Sequence, residues 1–157
     1  AEQVASSGMS PSYDEPLHVF LPCGVGGAPG GIAFALRSFF KDSIRIYFVE
    51  PVEYPCMLYS YVNGEAASVN DIGLGGKTIA DGLACSAPSK LVFPIVDSLI
   101  DGFFTFNDES ILRAKKDIEE IDEKVVEASS AAALLAYEKI NRPKNSILWI
   151  TGSNVDK

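Results

Sequence analysis

The chain has 157 residues, 47% hydrophobic and 22% charged, enough for one packed core and short of two. With 21 acidic against 13 basic residues its net charge is -8, which excludes a basic face for a nucleic-acid backbone and points to a small-molecule partner. No apolar run approaches the roughly 18 residues of a membrane helix, and no basic-then-apolar leader is visible, so the expected location is the cytoplasm.

In chain order, "AEQVASSG" reads as the tail of a helix stopped by Gly8, with a linker to residue 16. A helix tail with nothing before it suggests a piece of something longer; a processed Met and a disordered leader is the other reading. "HVFLP" (18–22) is a short apolar strand and "SIRIYFVEP" (43–51) a second, ended by Pro51. Between them "GIAFALRSFFK" places Ile32, Phe34, Ala35, Leu36 and Phe39 at helical spacing. "CMLYSYVNG" is a short helix stopped at Gly64. "SVNDIGLGGKTIADGLACSAPS" is too long for an idle connection and is a candidate active-site loop. "KLVFPIVDSLIDG" reads as a buried helix interrupted near Pro94, and "FFTF" as a strand. In "NDESILRAKKDIEEIDEKV", Ile111, Ala114, Ile118, Ile121 and Val125 form the apolar stripe of an amphipathic helix with Asp108 as N-cap. "EASSAAALLAYEKI" is a helix of small residues and "SILWITG" (146–152) the last strand. Four strands separated by helices predict an α/β fold, an open, mostly parallel sheet with helices on both faces, with chemistry in the loops at the strand ends.

The densest signal is "FLPCGVGGAPGG" at residues 20–31, five glycines and two prolines between a strand and a helix. A helix N-terminus outside the carboxyl end of a parallel strand offers unpaired N–H groups and the positive end of the macrodipole. Gly24, Val25, Gly26, Gly27 and Ala28 would supply the donors, and Pro29 fits the first helical turn. Gly30 and Gly31 would let the helix lie close to the sheet. The pattern is neither GxGxxG in dinucleotide spacing nor GxxxxGK[ST], so a phosphate without a nucleotide is the inference, against a purely structural turn. Cys23, Cys56 and Cys85 are odd in number without CxxC spacing and read as reduced thiols.

"LPCGVGGAPGGIAFAL", "EPVEYPCML", "TIADGLA", "LIDGFFTFND", "EASSAAALLA" and "TGSNVD" resemble, in order and spacing, the C-terminal part of the D-serine dehydratase branch of the fold-type II pyridoxal-phosphate enzymes. The resemblance covers the chain from about Leu17 onward and implies that residues 17–157 are the C-terminal part of a cofactor-binding large domain of the tryptophan synthase β type. It places the cofactor phosphate on Gly24, Val25, Gly26, Gly27 and Ala28; Ala28 stands where close relatives commonly have glycine, but keeps its N–H. It puts the hydroxyl that contacts the cofactor's pyridine nitrogen at Thr151. A neutral hydroxyl leaves that nitrogen unprotonated and favours β-elimination over transamination. Taken alone, Thr151 would read as an ordinary strand-end hydroxyl.

The same resemblance implies that Glu50 helps hold a structural cation. Relatives with a divalent metal have a second acid six residues on, where this chain has Cys56, so one carboxylate with the Tyr54 carbonyl suits a monovalent ion such as K⁺. A Glu50 simply solvated at a strand end is the other reading. Glu127 resembles a carboxylate near the cofactor ring and also reads as a helix N-terminal charge. His18 opens a buried strand and reads as structural, and Cys23 has no evident base partner. The family's Schiff-base lysine lies upstream of every motif here, and Lys90 in "PSK" does not match it, so no catalytic residue is expected in this chain. The implied parent is a monomeric ammonia-lyase converting D-serine to pyruvate and ammonia, its N-terminal half elsewhere. A lyase for threonine or diaminopropionate, or a non-catalytic phosphate-binding module, are the alternatives.

Overall fold

The structure, a computed structural model, describes residues 2–123 and 125–152. Its centre is a four-stranded sheet, β1 (Leu17–Pro22), β2 (Ile44–Pro51), β3 (Gly102–Phe106) and β4 (Ser146–Leu148), in the order β3-β2-β1-β4. Every pairing is parallel, with Phe20 opposite Tyr47 on one side and Leu148 on the other. β1 and β2 read as nearly continuous apolar runs because both faces are covered, as parallel sheets require.

The period-two alternation of the strands divides the core in two. Leu17, Val19, Leu21, Ile44, Ile46 and Phe48 face α2 (Gly27–Phe40), α3 (Cys56–Asn63) and α4 (Phe93–Val96), meeting Ala33, Met57, Phe93 and Val96. Phe20 and Val49 point to the other face, against α5 (Asp108–Asp122) and α6 (Ala128–Lys139). Alanines 131, 132, 133 and 136 of α6 are fully buried, and their short side chains let that helix lie close over β1. The first helix, α1 (Glu2–Ser6), sets Val4 into the α2 side of the core.

Six local expectations are corrected. On α2 the buried residues are Pro29, Gly30 and Ala33, with Ile32, Leu36 and Phe40 partly buried against the same core, whereas Phe34 and Phe39 are exposed, because the stripe in contact with the core is narrower than the run of apolar residues. Gly30 makes its close approach to Val92 and Val96 rather than to the sheet, and Gly31 meets nothing within 4 Å. The N-cap of α5 is Asn107, whose side chain accepts from the Ser110 N–H, because Asp108 is occupied elsewhere. That helix ends at Asp122, so Ile121 and Val125 are exposed and Val126 takes the buried place beyond the turn. Residues 90–101 are a series of turns around the single helical turn of α4, where Pro94 sits near the start instead of interrupting it, and β4 stops at Leu148.

Candidate functional site

The chain order reverses beside β1. The connection through α2 covers one face and leads to β2, while the one through α5 and α6 covers the other and returns to β4. In a parallel sheet such a reversal opens a crevice outside the carboxyl ends of the two strands. The structure places a cavity of about 280 Å³ there, lined from four directions. Val25 comes from the loop after β1 and Gly27, Ala28 and Pro29 from the first turn of α2, Thr151 and Gly152 from the chain after β4, Glu127, Ser129 and Ser130 from the head of α6, and Gly82 and Leu83 from the long loop before α4.

The glycine loop is shaped by contact. Gly26 is the N-cap of α2 at φ 94°, a left-handed conformation that a β-carbon disfavours, and a Cβ there would lie 2.4 Å from Met57 Cε. At Gly24 a Cβ would lie 3.0 Å from Cys85 Sγ and 3.3 Å from the Gly82 carbonyl oxygen, so the two loops touch through backbone. Gly30 N–H closes the first helical bond to the Gly26 carbonyl at 2.7 Å. Among the described residues, no backbone hydrogen bond between segments uses the N–H of Val25, Gly26, Gly27 or Ala28. These donors stand at the positive end of a 14-residue helix, and this arrangement fits a phosphate ester without needing a lysine or arginine.

Across the cavity, Glu127 is the N-cap residue of α6 and lies against Gly152, where a Cβ would come within 2.5 Å of Glu127 Cδ and Oε2. Gly152 at φ 85° thus lets the chain after Thr151 pass the carboxyl group. The glycine-loop residues, Glu127 and Thr151 meet in one place although they come from opposite ends of the chain. Ser153 and the rest of "TGSNVD" lie outside the described residues.

Gly82, Leu83, Ser129, Ser130 and Gly152 line the cavity and escaped the sequence reading. Ser129 and Ser130 are 5% and 3% exposed at the head of α6, and Ser129 Oγ accepts the Gly82 N–H at 3.0 Å. Their signal was two hydroxyls opening an otherwise apolar helix. Gly82 belongs to the loop singled out as too long to be idle; that loop is held by Asp108, which accepts from the Thr78 hydroxyl at 2.6 Å and the Ile79 N–H at 3.0 Å.

Glu50, Tyr54 and Cys56 lie behind the cavity rather than in its lining. Glu50 is fully buried, and its two carboxyl oxygens accept the N–H groups of Met57 at 2.8 Å and Leu58 at 3.0 Å. Burial pushes its pKa up to about 7 in spite of those bonds. That geometry is a helix cap: a cation at Glu50 would have to share oxygens already engaged by amides. Among the described residues no group of three or more His, Cys, Asp and Glu is arranged to hold a metal ion. The Tyr54 hydroxyl donates to the Gly75 carbonyl at 3.0 Å, fixing the long loop. Burial, then the Glu50 carboxyl and the neighbouring thiols, drives the Cys23 thiol well up, which keeps it a protonated, unreactive group. His18 lies at the other end of β1, stacked beside Tyr47, with its pKa lowered by burial and by Arg45.

Comparison with known proteins agrees with this arrangement. The family model described as "Pyridoxal-phosphate dependent enzyme" matches residues 2–152. A relative from Carboxydothermus hydrogenoformans named "Probable D-serine dehydratase" is 44% identical over 155 residues, covering 96% of this chain and 37% of the relative. One of the same name from Chromobacterium violaceum is 41% identical, covering 99% of this chain and 35% of the relative. The chain therefore spans little more than a third of the length of these relatives. Among solved structures, a threonine deaminase from T.th. superposes with a TM-score of 0.80 at 25% identity, over 92% of this chain and 50% of that one. The serine racemase of Dictyostelium discoideum does so at 0.76 and 26%, over 90% and 45%.

Proposed function

Because the chain belongs to the pyridoxal-phosphate dependent enzyme family, we propose that it forms the phosphate-holding end of a cytoplasmic lyase that eliminates the β-hydroxyl of D-serine, giving pyruvate and ammonia. The observation that carries the reading is the cavity at the carboxyl ends of β1 and β4, where open helix N–H groups face a hydroxyl and a carboxyl. When bound, the cofactor supplies an electron-withdrawing ring that stabilises negative charge at the substrate Cα.

This chain's residues then have the following work. The N–H groups of Val25, Gly26, Gly27 and Ala28, with Gly24 shaping their approach, would hold the phosphate, and the α2 dipole would favour its dianion. Thr151 would donate its hydroxyl to the ring nitrogen and, being neutral, would leave that nitrogen unprotonated, a ring chemistry suited to β-elimination. Ser129 holds Gly82, and through it the long loop, against the cavity rim. Glu127 presents a carboxyl beside Thr151 and Gly152. Among the described residues no lysine lines the cavity, so removal of the Cα proton is assigned to a lysine contributed from outside this chain. By itself the chain is expected to bind pyridoxal phosphate weakly and to turn over nothing.

The test is release of pyruvate from D-serine and L-serine, with added pyridoxal phosphate, by this chain alone and by the full-length protein. Turnover of D-serine by the full-length protein only is the expected result; turnover by the isolated chain, verified by intact mass, would overturn the assignment of the lysine. Threonine belongs in the same assay, because the superposition on a threonine deaminase at a TM-score of 0.80 favours a threonine dehydratase as the second reading. Cofactor binding with silence on every amino acid would leave a non-catalytic phosphate-binding module.

A further inference from the structure

We propose that Glu50 is a positioning residue for the phosphate cup, acting through the first turn of α3, and this rests on the reading of the glycine loop as that cup. Three observations meet here. Pro55, the N-cap residue of α3, has no side chain able to cap, so the free N–H groups of the first turn need an acceptor from elsewhere. Glu50 provides it from the end of β2, accepting Met57 N–H at 2.8 Å and Leu58 N–H at 3.0 Å with both oxygens, at a fully buried position. Among the described residues no arginine, lysine or histidine takes part, so the carboxyl group's hydrogen-bonding capacity is directed at α3.

The turn that Glu50 holds is also the back wall of the glycine loop. The Cys56 thiol donates to the Gly24 carbonyl at 3.5 Å, and Met57 Cε stands where a Gly26 Cβ would need to be, 2.4 Å from that point. The first two residues of α3 therefore press on the first and third residues of the loop. The carboxyl group ties this wall to the end of β2, whose neighbour β1 carries the loop, since Cys23 N–H continues the ladder to Val49 O at 2.9 Å. Without the tie, the wall is free to shift relative to the strand ends, and the loop N–H groups lose their fixed convergence. Glu50 touches neither phosphate nor ring; its effect is to be felt by the phosphate alone.

That selectivity is the test. Apo full-length protein is titrated with pyridoxal phosphate and with pyridoxal, which lacks the phosphate, in wild type, Glu50→Gln, Cys56→Ala and Cys56→Ser. Ser60→Ala serves as a control, because Ser60 is a buried α3 residue whose hydroxyl, among the described residues, bonds only Ala67. The expected result is a loss of about tenfold in pyridoxal phosphate affinity for Glu50→Gln, with pyridoxal affinity changed by less than about twofold. Cys56→Ala should show a smaller loss of the same kind, restored in Cys56→Ser, and the phosphorus NMR resonance of the bound cofactor should shift in Glu50→Gln but not in Ser60→Ala. Equal losses for both ligands, or a phosphate-selective loss in Ser60→Ala as well, would reduce Glu50 to a stability role and overturn the inference. If Glu50→Gln does not fold, the Cys56 pair decides by the same criterion. A wild type that binds both ligands equally would overturn the cup reading itself, and the inference with it.

Discussion

The two ends of helix α2 are finished in opposite ways. At its C-terminal end Arg37 reaches the carbonyls of Lys41, Ile44 and Leu99 at 2.8 to 3.1 Å and pairs with Asp101, which also accepts the Ile46 N–H. Charges are matched there, and carbonyls from three segments converge on one guanidinium. At the N-terminal end the loop N–H groups have no such partners among the described residues, and the glycine at the cap is held in a left-handed conformation against Met57. One end ties segments of the fold together, and the other leaves backbone N–H groups open beside the cavity. The C-terminal end carries strain of its own, with Lys41 at φ 50° and the buried Arg37 Nε without a partner among the described residues, but there the cost is returned in contacts to three segments; at the N-terminal end the unmatched backbone donors return none within the chain.

The sharpest way to break the comparison is at Gly26. Gly26→Val combines a φ that a β-branched residue resists with a collision at Met57 Cε, and should lower pyridoxal phosphate affinity about a hundredfold in the full-length protein, read by absorbance titration. Arg37→Ala should do the reverse: a loss of about 2 to 3 kcal/mol in denaturant unfolding, with cofactor affinity unchanged. A large affinity loss in Arg37→Ala would show that the two ends are coupled. At Thr151, replacement by Ala should weaken cofactor binding about tenfold and move the cofactor absorbance, with Thr151→Ser restoring both. Thr78→Val removes one of the two bonds pinning the long loop to Asp108 and should cost about 1 kcal/mol.

A further effect concerns pH. Glu50 has a folded pKa raised to about 7 from 4.5, so the native state binds more protons between those values than the unfolded chain. Its contribution to stability is fully present below about 4.5 and is lost as pH rises toward 7. The difference in unfolding free energy between wild type and Glu50→Gln should therefore shift against wild type across that window. A flat difference would mean that Glu50 is already ionised in the fold.

Much of the site was legible because it is local. The glycine loop between β1 and α2 announces itself by composition, and strand, loop and helix follow one another directly, so steric rules and helix-end physics suffice to read it. The stop of α3 at Gly64 follows from the same physics, the glycine there adopting φ 77°. Asp108 shows the limit. Its neighbour sequence offers two good N-caps, Asn107 and Asp108, and only the presence of Thr78 and Ile79 across the cleft decides which one turns to the helix. Glu50 reads from sequence as solvated or as a cation ligand for the same reason: nothing in "EPVEYPCM" tells that α3 folds back so that its amides face the carboxyl group.

The sequence by itself determined the parallel α/β class, the four strands and the glycine loop that opens α2. Each of these depends on periodicities and backbone preferences within one short segment. Only the tertiary structure decided that Thr151, Glu127 and Gly82 share a cavity with that loop, that Phe34, Phe39 and Ile121 face outward, and that Glu50 caps α3. Those outcomes depend on which elements are neighbours across the sheet, and a side chain's burial and partners are properties of the packed arrangement rather than of its own stretch of chain.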